Sequence, residues 1–295
     1  MSPLVIALPE NDALATLLAP RLDAEMGRAE FRRFPDGETY VRLDSDVRGR
    51  SVVLVSTLDR PDPKFLSLAF AAATAHELGA SRVGLIAPYL AYMRQDRRFH
   101  AGEAITSRLF AHQLSGIVDW LITVDPHLHR ISALSNIYTI PAISVHASPL
   151  LADWIKNSVP SPLLIGPDEE SAQWVEVVAK SAGAPFIILE KYRRGDSDVE
   201  ISVPNVEHWR GHTPVLVDDI ISTARTMIET LGHLRRTGMR PAVCVAVHAV
   251  FAPGAFETLR AAGAAWIVTT NTIPHETNAI DVTQALVDAM AGLTA

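Results

Sequence analysis

The chain has 295 residues and a mass of 32.1 kDa, with 48% hydrophobic and 20% charged residues. That is the profile of a globular protein with one large domain or two ordinary ones, not of a disordered chain. A net charge of −7 and a pI near 5.9 exclude a surface built mainly for nucleic acid, because such binding rests on neutralising phosphates with Lys and Arg. The one cysteine, Cys244, lies in an apolar run, which rules out an intramolecular disulfide and fits a reducing compartment. The first residues lack the basic and apolar regions of a secretory leader, and no apolar run reaches about 18 residues, so a cytoplasmic protein with no membrane partner is expected.

In chain order, Leu4–Leu8 predicts a short strand and Asn11–Leu18 a helix after an Asn cap. Arg32–Leu43 reads R-R-F-P-D-G-E-T-Y-V-R-L, a turn at Pro35, Asp36 and Gly37 followed by an alternating strand. Phe34 there can stack on a flat ring, while Asp36 and Glu38 can accept hydrogen bonds. Ser51–Thr57 and Arg82–Ala87 predict strands on either side of a helix over Phe65–Leu78, which Gly79 closes. This strand, helix, strand rhythm signals βαβ units and a parallel sheet.

Beyond the strand ending at Ala87, Pro88–Thr106 brings Arg94, Gln95, Asp96, Arg97 and Arg98 to a strand's carboxyl end, where guanidinium forks can hold polyphosphate. A helix over Thr106–Leu114 and a strand over Trp120–Val124 lead to D-P-H-L-H at Asp125–His129, another strand-end loop with ionisable groups. The proline-rich stretch Ile140–Ser161 reads as a domain junction, which divides the chain into residues 1–145 and 146–295.

The pattern then begins again. A strand at Leu163–Ile165, the loop G-P-D-E-E-S, a helix over Ala172–Ala182, a strand at Phe186–Leu189 and a polar loop at Glu190–Gly195 precede V-L-V-D-D-I-I-S-T-A-R-T-M at Val215–Met227. In that last stretch a β-branched run ends in Asp218 and Asp219, and Ser222, Thr223 and Thr226 precede an amphipathic helix. Carboxylates at a strand end can receive ribose hydroxyls or a metal, and hydroxyls at a helix start can grip a phosphate. Further strands over Ala242–Val250 and Trp266–Thr269 and a closing helix over Asp281–Met290 complete the second half.

Val215–Met227 resembles the phosphoribosyl-pyrophosphate binding motif, with Ser222 in place of its usual Asp and Arg225 in place of a Gly. F-P-D-G-E at Phe34–Glu38, P-Y-L-A-Y-M-R-Q-D-R at Pro88–Arg97 and E-A-I-T-S-R-L-F-A at Glu103–Ala111 extend the likeness to the ribose-phosphate pyrophosphokinase family. The resemblance implies an α/β fold of two similar type I phosphoribosyltransferase-like lobes, each a mostly parallel sheet flanked by helices. It implies transfer of the β,γ-diphosphoryl group of ATP to the C1 hydroxyl of ribose 5-phosphate, giving AMP and phosphoribosyl pyrophosphate, with Mg2+ as cofactor.

Carried over by position, ATP would be held by Phe34, Asp36, Gly37, Glu38, Arg94, Gln95 and His127. Ribose 5-phosphate would be held by Arg193, Asp218, Asp219, Ser222, Thr223, Ala224, Arg225 and Thr226. His127 and Asp168 would contact the metal, and Lys191 and Arg193 match the K-x-R of the family's mobile catalytic loop. The family's diphosphate loop carries glycines where Glu169, Glu170 and Ser171 follow G-P-D here, and carboxylates beside a diphosphate would repel it. A homo-oligomer built from dimers is also implied. Two alternatives stand beside this reading: a non-catalytic regulatory homologue, and a phosphoribosyltransferase that consumes the product instead of making it.

Overall fold

Runs of β-branched and aliphatic residues, buried on both faces, form two six-stranded parallel sheets, as expected when helices cover a sheet on either side. The computed structural model describes residues 2–166, 171–194, 198–202 and 206–294. It falls into two units, one of Met1–His146 with Thr272–Pro274 and Val282–Ala295, the other of Ala147–Asn271 with His275–Asp281.

The first unit runs β1 (Leu4–Ala7), α1 (Asp12–Arg21), β2 (Glu25–Met26), β3 (Ala29–Arg33), β4 (Thr39–Leu43), β5 (Ser51–Val55), α2 (Asp62–Glu77), β6 (Arg82–Ala87), α3 (Thr106–Ser115), β7 (Trp120–Val124) and β8 (Ala142–Val145). Its sheet has the order β2-β1-β5-β6-β7-β8, and β3 pairs with β4 as a separate antiparallel hairpin. Proline in the first turn of α2 starts that helix with a preset φ, and Gly79 at φ 89° follows its end. Leu54, Leu68, Leu85, Phe110 and Leu121 are among the core residues. Gly84 in β6 leaves room for the buried Trp120 ring of β7, since a Cβ there would lie 1.7 Å from it.

The second unit continues with α4 (Ser148–Ser158), β9 (Pro162–Gly166), α5 (Ala172–Ala182), β10 (Phe186–Ile188), β11 (Glu190–Arg194), β12 (Asp198–Ser202), β13 (Thr213–Ile221), α6 (Arg225–Arg236), β14 (Val243–Ala249), α7 (Ala255–Ala261), β15 (Trp266–Thr270) and β16 (Asn278–Ile280). The sheet order is β10-β9-β13-β14-β15-β16, and β11 and β12 form an antiparallel hairpin. Its core includes Leu163, Leu216, Leu231 and the buried Cys244, whose thiol burial pushes up to about 12. The closing helix α8 (Thr283–Thr294) packs on α1, β7 and β8 of the first unit.

The two units divide between His146 and Ala147, inside the proline-rich stretch 140–161, which also holds β8 and α4, with Pro149 in the first turn of α4 and Pro162 opening β9. Three features differ from the sequence reading. The closing helix belongs with the first unit, not with residues 146–281, because an apolar face read from periodicity does not say which sheet it will cover. The polar stretch around Lys191 is strand β11 of a hairpin, not a loop. Strand β13 runs on through Asp218 and Asp219 to Ile221, still paired with β14. Among the described residues no helix is long and apolar enough to cross a membrane.

Candidate functional site

In the first unit three segments at carboxyl strand ends, or in the hairpin that leaves the sheet, carry the predicted groups. The β3–β4 hairpin presents Phe34–Glu38 as a turn closed by Phe34 N–H to Glu38 O at 2.8 Å and Gly37 N–H to Phe34 O at 2.9 Å. Gly37 takes φ 94°, which a glycine adopts without a Cβ penalty, and the Asp36 carboxylate accepts from Glu38 N–H at 3.1 Å. The Arg32 guanidinium stacks 4.1 Å from the Tyr40 ring centroid and 4.6 Å from that of Phe34. Phe34 is 38% exposed, so it presents an aromatic surface already suited to a flat ring or a cation.

After β6, the chain turns inward and then out. Tyr89, Leu90, Ala91 and Met93 are buried and Arg94 is exposed. Three side-chain tethers fix this loop. Tyr92, held at φ 63°, donates its hydroxyl to Asp62 of α2, and that bond is the main reason its phenol is pushed up to about 12. Gln95 Oε1 accepts from Thr106 Oγ1 at 2.9 Å, and the Asp96 carboxylate receives Arg130 Nη1 at 3.3 Å. Farther along, the Glu103 carboxylate accepts from the ring and backbone N–H of His100 and from Phe99 N–H, which holds its carboxyl below the ordinary range. Asp62, Arg130 and Thr106 were not singled out from sequence; the acidic start of α2 and the hydroxyl opening α3 were the available signals.

After β7, Asp125 and His127 take positive φ values of 32° and 52°, a conformation uncommon for residues with a Cβ. His127 and His129 pack in a tilted contact with ring centroids 4.1 Å apart and planes inclined at 53°. Asp125 accepts from His146 Nδ1 at 3.0 Å, and this bond raises the His146 pKa above the usual histidine value despite partial burial.

In the second unit the end of β13 carries Asp218 and Asp219, both half-buried. The Asp218 carboxylate accepts from Asp219 N–H at 2.9 Å, within the strand and two residues before it ends at Ile221. Ser222 and Thr226 are half-buried, Thr223 and Arg225 are exposed, and Ser222 O accepts from Ala252 N–H at 3.1 Å. Ala224 occupies the left-handed region at φ 58° and caps α6, and its carbonyl accepts from Ile228 N–H at 2.9 Å. The strained turn residue of the motif is therefore Ala224, whose small Cβ limits the cost. Arg225, which stands where the motif usually has Gly, begins the helix with an ordinary backbone and an exposed side chain.

Other predicted residues cannot be placed. Asp168, Glu169 and Glu170 lie outside the described residues, as do the side chains of Lys191 and Arg193. For the latter pair only the backbone is described: Lys191 pairs with Ile201 and Arg193 with Val199 across the β11–β12 hairpin.

Two lobes of parallel sheet with hydroxyl-, carboxylate- and guanidinium-bearing loops at strand ends define a two-lobed protein of the phosphoribosyltransferase type. Residues 4–117 match the N-terminal domain of ribose phosphate pyrophosphokinase and residues 133–283 the phosphoribosyl transferase domain. A ribose-phosphate pyrophosphokinase of Methanopyrus kandleri is 35% identical over 99% of both chains, and one of Saccharolobus solfataricus is 34% identical over 96% of this chain and 98% of its own. The crystal structure of phosphoribosylpyrophosphate synthetase from Mycobacterium smegmatis shares the fold, with a TM-score of 0.84 and 24% identity over 100% of this chain and 99% of that one. The chain belongs to the ribose-phosphate pyrophosphokinase family, a family of enzymes.

Proposed function

We propose that this chain transfers the β,γ-diphosphoryl group of ATP to the C1 hydroxyl of ribose 5-phosphate. The C1 oxygen attacks the β-phosphorus of ATP, the bond from that phosphorus to the bridging oxygen of the α-phosphate breaks, and AMP leaves. The hydroxyl proton is lost to solvent. The observation that carries the reading is the end of β13, where adjacent carboxylates lead through the left-handed turn at Ala224 into the first turn of α6. Carboxylates suit the ribose hydroxyls, while Ser222, Thr223 and Thr226 with the helix start suit the 5-phosphate. Arg225 adds a guanidinium at the same helix start.

On the ATP side, Phe34 offers a ring for the adenine, with Asp36, Gly37 and Glu38 supplying polar groups beside it. Arg94 offers an exposed guanidinium for the phosphates, and Gln95 is steadied by Thr106. Lys191 and Arg193 are assigned to the transferring phosphoryl group, where a compact cation and a bidentate one neutralise charge that develops as the bond to AMP lengthens. Diphosphoryl transfer asks for such positioning and charge stabilisation more than for covalent help.

Mg2+ is the proposed cofactor, with His127 and Asp168 as its protein contacts. The ion keeps few protein ligands and takes much of its shell from water and substrate phosphates. The half-exposed His127 beside one strand end fits as a single contact to such a shell. When bound, the metal would offset phosphate charge. A cytoplasmic location and a homo-oligomer built from dimers complete the proposal.

The altered loops, with Glu169, Glu170 and Ser222 in place of the family's usual residues, favour one second reading, a non-catalytic homologue. Incubation with ATP, Mg2+ and ribose 5-phosphate separates them: the enzyme forms AMP and phosphoribosyl pyrophosphate in equal amounts. Absence of AMP across varied metal and phosphate concentrations overturns the catalytic reading.

A further inference from the structure

The two lobes repeat one topology, β2-β1-β5-β6-β7-β8 in the first and β10-β9-β13-β14-β15-β16 in the second. In the first lobe β1 connects through α1 to β2 while its neighbour β5 connects the other way through α2 to β6. In the second lobe β9 and β13 diverge in the same manner through α5 and α6. Such a reversal opens a crevice at the carboxyl ends of the two strands, the usual ligand position in an open α/β sheet. The hairpins repeat as well: E-F-R-R at Glu30–Arg33 stands in β3 where K-Y-R-R at Lys191–Arg194 stands in β11. The second-lobe crevice is the one assigned above to ribose 5-phosphate.

Its first-lobe counterpart is a cavity of about 280 Å3 between the ends of β1 and β5, the first turn of α2 and strand β3. None of the residues assigned to ATP or ribose 5-phosphate lines it. Ser56, which does, is 1% exposed, and its hydroxyl has no hydrogen-bond partner among the described residues. A buried hydroxyl without a partner is costly, and a ligand that bonds to it removes that cost. Leu8 and Phe31 supply apolar wall.

The charges select the ligand. Lys64 is taken up by Asp59 at 2.5 Å and Glu10 at 3.2 Å, and Arg32 by Glu30 at 3.3 Å. Arg33 reaches over the cavity to Pro63 O at 3.0 Å and has no carboxylate partner among the described residues. One uncompensated guanidinium therefore remains. The β5 end and the start of α2 offer no phosphate cradle, because the N–H groups of Ser56, Thr57 and Leu58 donate to Ile86 O, Asn11 Oδ1 and Tyr89 O, and those of Lys64 and Phe65 to Pro61 O. A dianion would also face Glu10.

We propose that the first-lobe crevice is a second ligand site, one that takes a small monocarboxylate. Its carboxylate pairs with Arg33, a hydroxyl or amino group on its body bonds Ser56, and its carbon skeleton lies against Leu8 and Phe31. Because β3 runs on into Phe34–Glu38, an occupant would also steady the hairpin assigned to ATP. That consequence rests on the proposed function, whereas binding itself does not.

Calorimetric titration of the full chain without ATP tests the site, with lactate and 3-hydroxybutyrate as carboxylates and glycerol 3-phosphate and inorganic phosphate as the phosphate arm. At least one carboxylate should saturate at one per chain, with affinity falling at least about tenfold in Arg33→Gln, as for the loss of a charge-assisted bond, and several-fold in Ser56→Ala. Ser56→Ala removes only an unpartnered hydroxyl, so its melting temperature should not fall, and it keeps the test valid should Arg33→Gln fold poorly. Phosphate-arm binding that is tighter and sensitive to the same variants overturns the carboxylate assignment. Binding insensitive to both variants, or no binding of any of the four probes, overturns the site.

Discussion

Asp96→Asn is the most informative single change in the first lobe, because one buried carboxylate anchors the loop that carries Arg94 and Gln95. The Asp96 side chain is 3% exposed, and Arg130 Nη1 lies 3.3 and 3.4 Å from its two oxygens. Asparagine keeps the size and removes the charge. A sheltered charge-assisted bond contributes about 1.5–3 kcal/mol and a solvent-exposed ion pair about 0–1 kcal/mol. Arg130 is 40% exposed, so water screens one end of the pair, and the expected loss is about 1–2 kcal/mol. Urea unfolding should show a lower midpoint at unchanged slope. A cycle with Arg130→Gln should give a coupling near 1 kcal/mol, since the two groups touch. On the proposed function, the loosened loop should raise KM for ATP more than KM for ribose 5-phosphate. Stability within about 0.3 kcal/mol of the parent, or strictly additive single changes, would refute the reasoning.

The other predictions act on different links. Gly84→Ala puts a Cβ 1.7 Å from the buried Trp120 ring, so the first unit should lose about 3 kcal/mol or more, the upper end for overpacking, read as a drop in melting temperature. His146 has a raised pKa from its bond to Asp125. Its stabilising contribution is therefore complete below the unfolded histidine value and lost as pH rises through the folded one. The stability gap between the parent and His146→Gln should accordingly be wider at pH 5.5 than at pH 8.5, roughly one pH unit below and two above the ordinary value, and an equal gap at both counts against the bond. Lys191→Ala should lower turnover by at least about a hundredfold with far-UV circular dichroism unchanged; near-normal turnover removes Lys191 from the catalytic set.

Much of the sheet was legible because parallel strands buried on both faces leave continuous apolar runs, such as S-V-V-L-V at Ser51–Val55 and W-L-I-T-V at Trp120–Val124. Short or exposed elements were not. The two-residue β2 has no period to read, and the sequence of β11, E-K-Y-R-R, has no apolar alternation to mark a strand. The destination of α8 was equally hidden, since Leu286 and Met290 announce an apolar face but not the sheet it covers. At the candidate site, charged and aromatic residues at strand ends could be named from spacing. The tethers Asp62, Thr106 and Arg130 were not visible, because each is a pairing across the fold that no local pattern encodes. The first-lobe crevice was hidden for the same reason: Leu8, Phe31 and Ser56 meet only through the strand order.

The central claim is that the β- and γ-phosphates of ATP leave together. Following ATP that carries oxygen-18 in the non-bridging positions of its β-phosphoryl group, with Mg2+ and ribose 5-phosphate, tests this directly by the isotope shift in phosphorus NMR. The account predicts that the label moves wholly into phosphoribosyl pyrophosphate while unlabelled AMP forms in equal amount. Labelled ADP as the product, which means transfer of the γ-phosphate alone, would contradict it, as would ATP left intact beside ribose 5-phosphate.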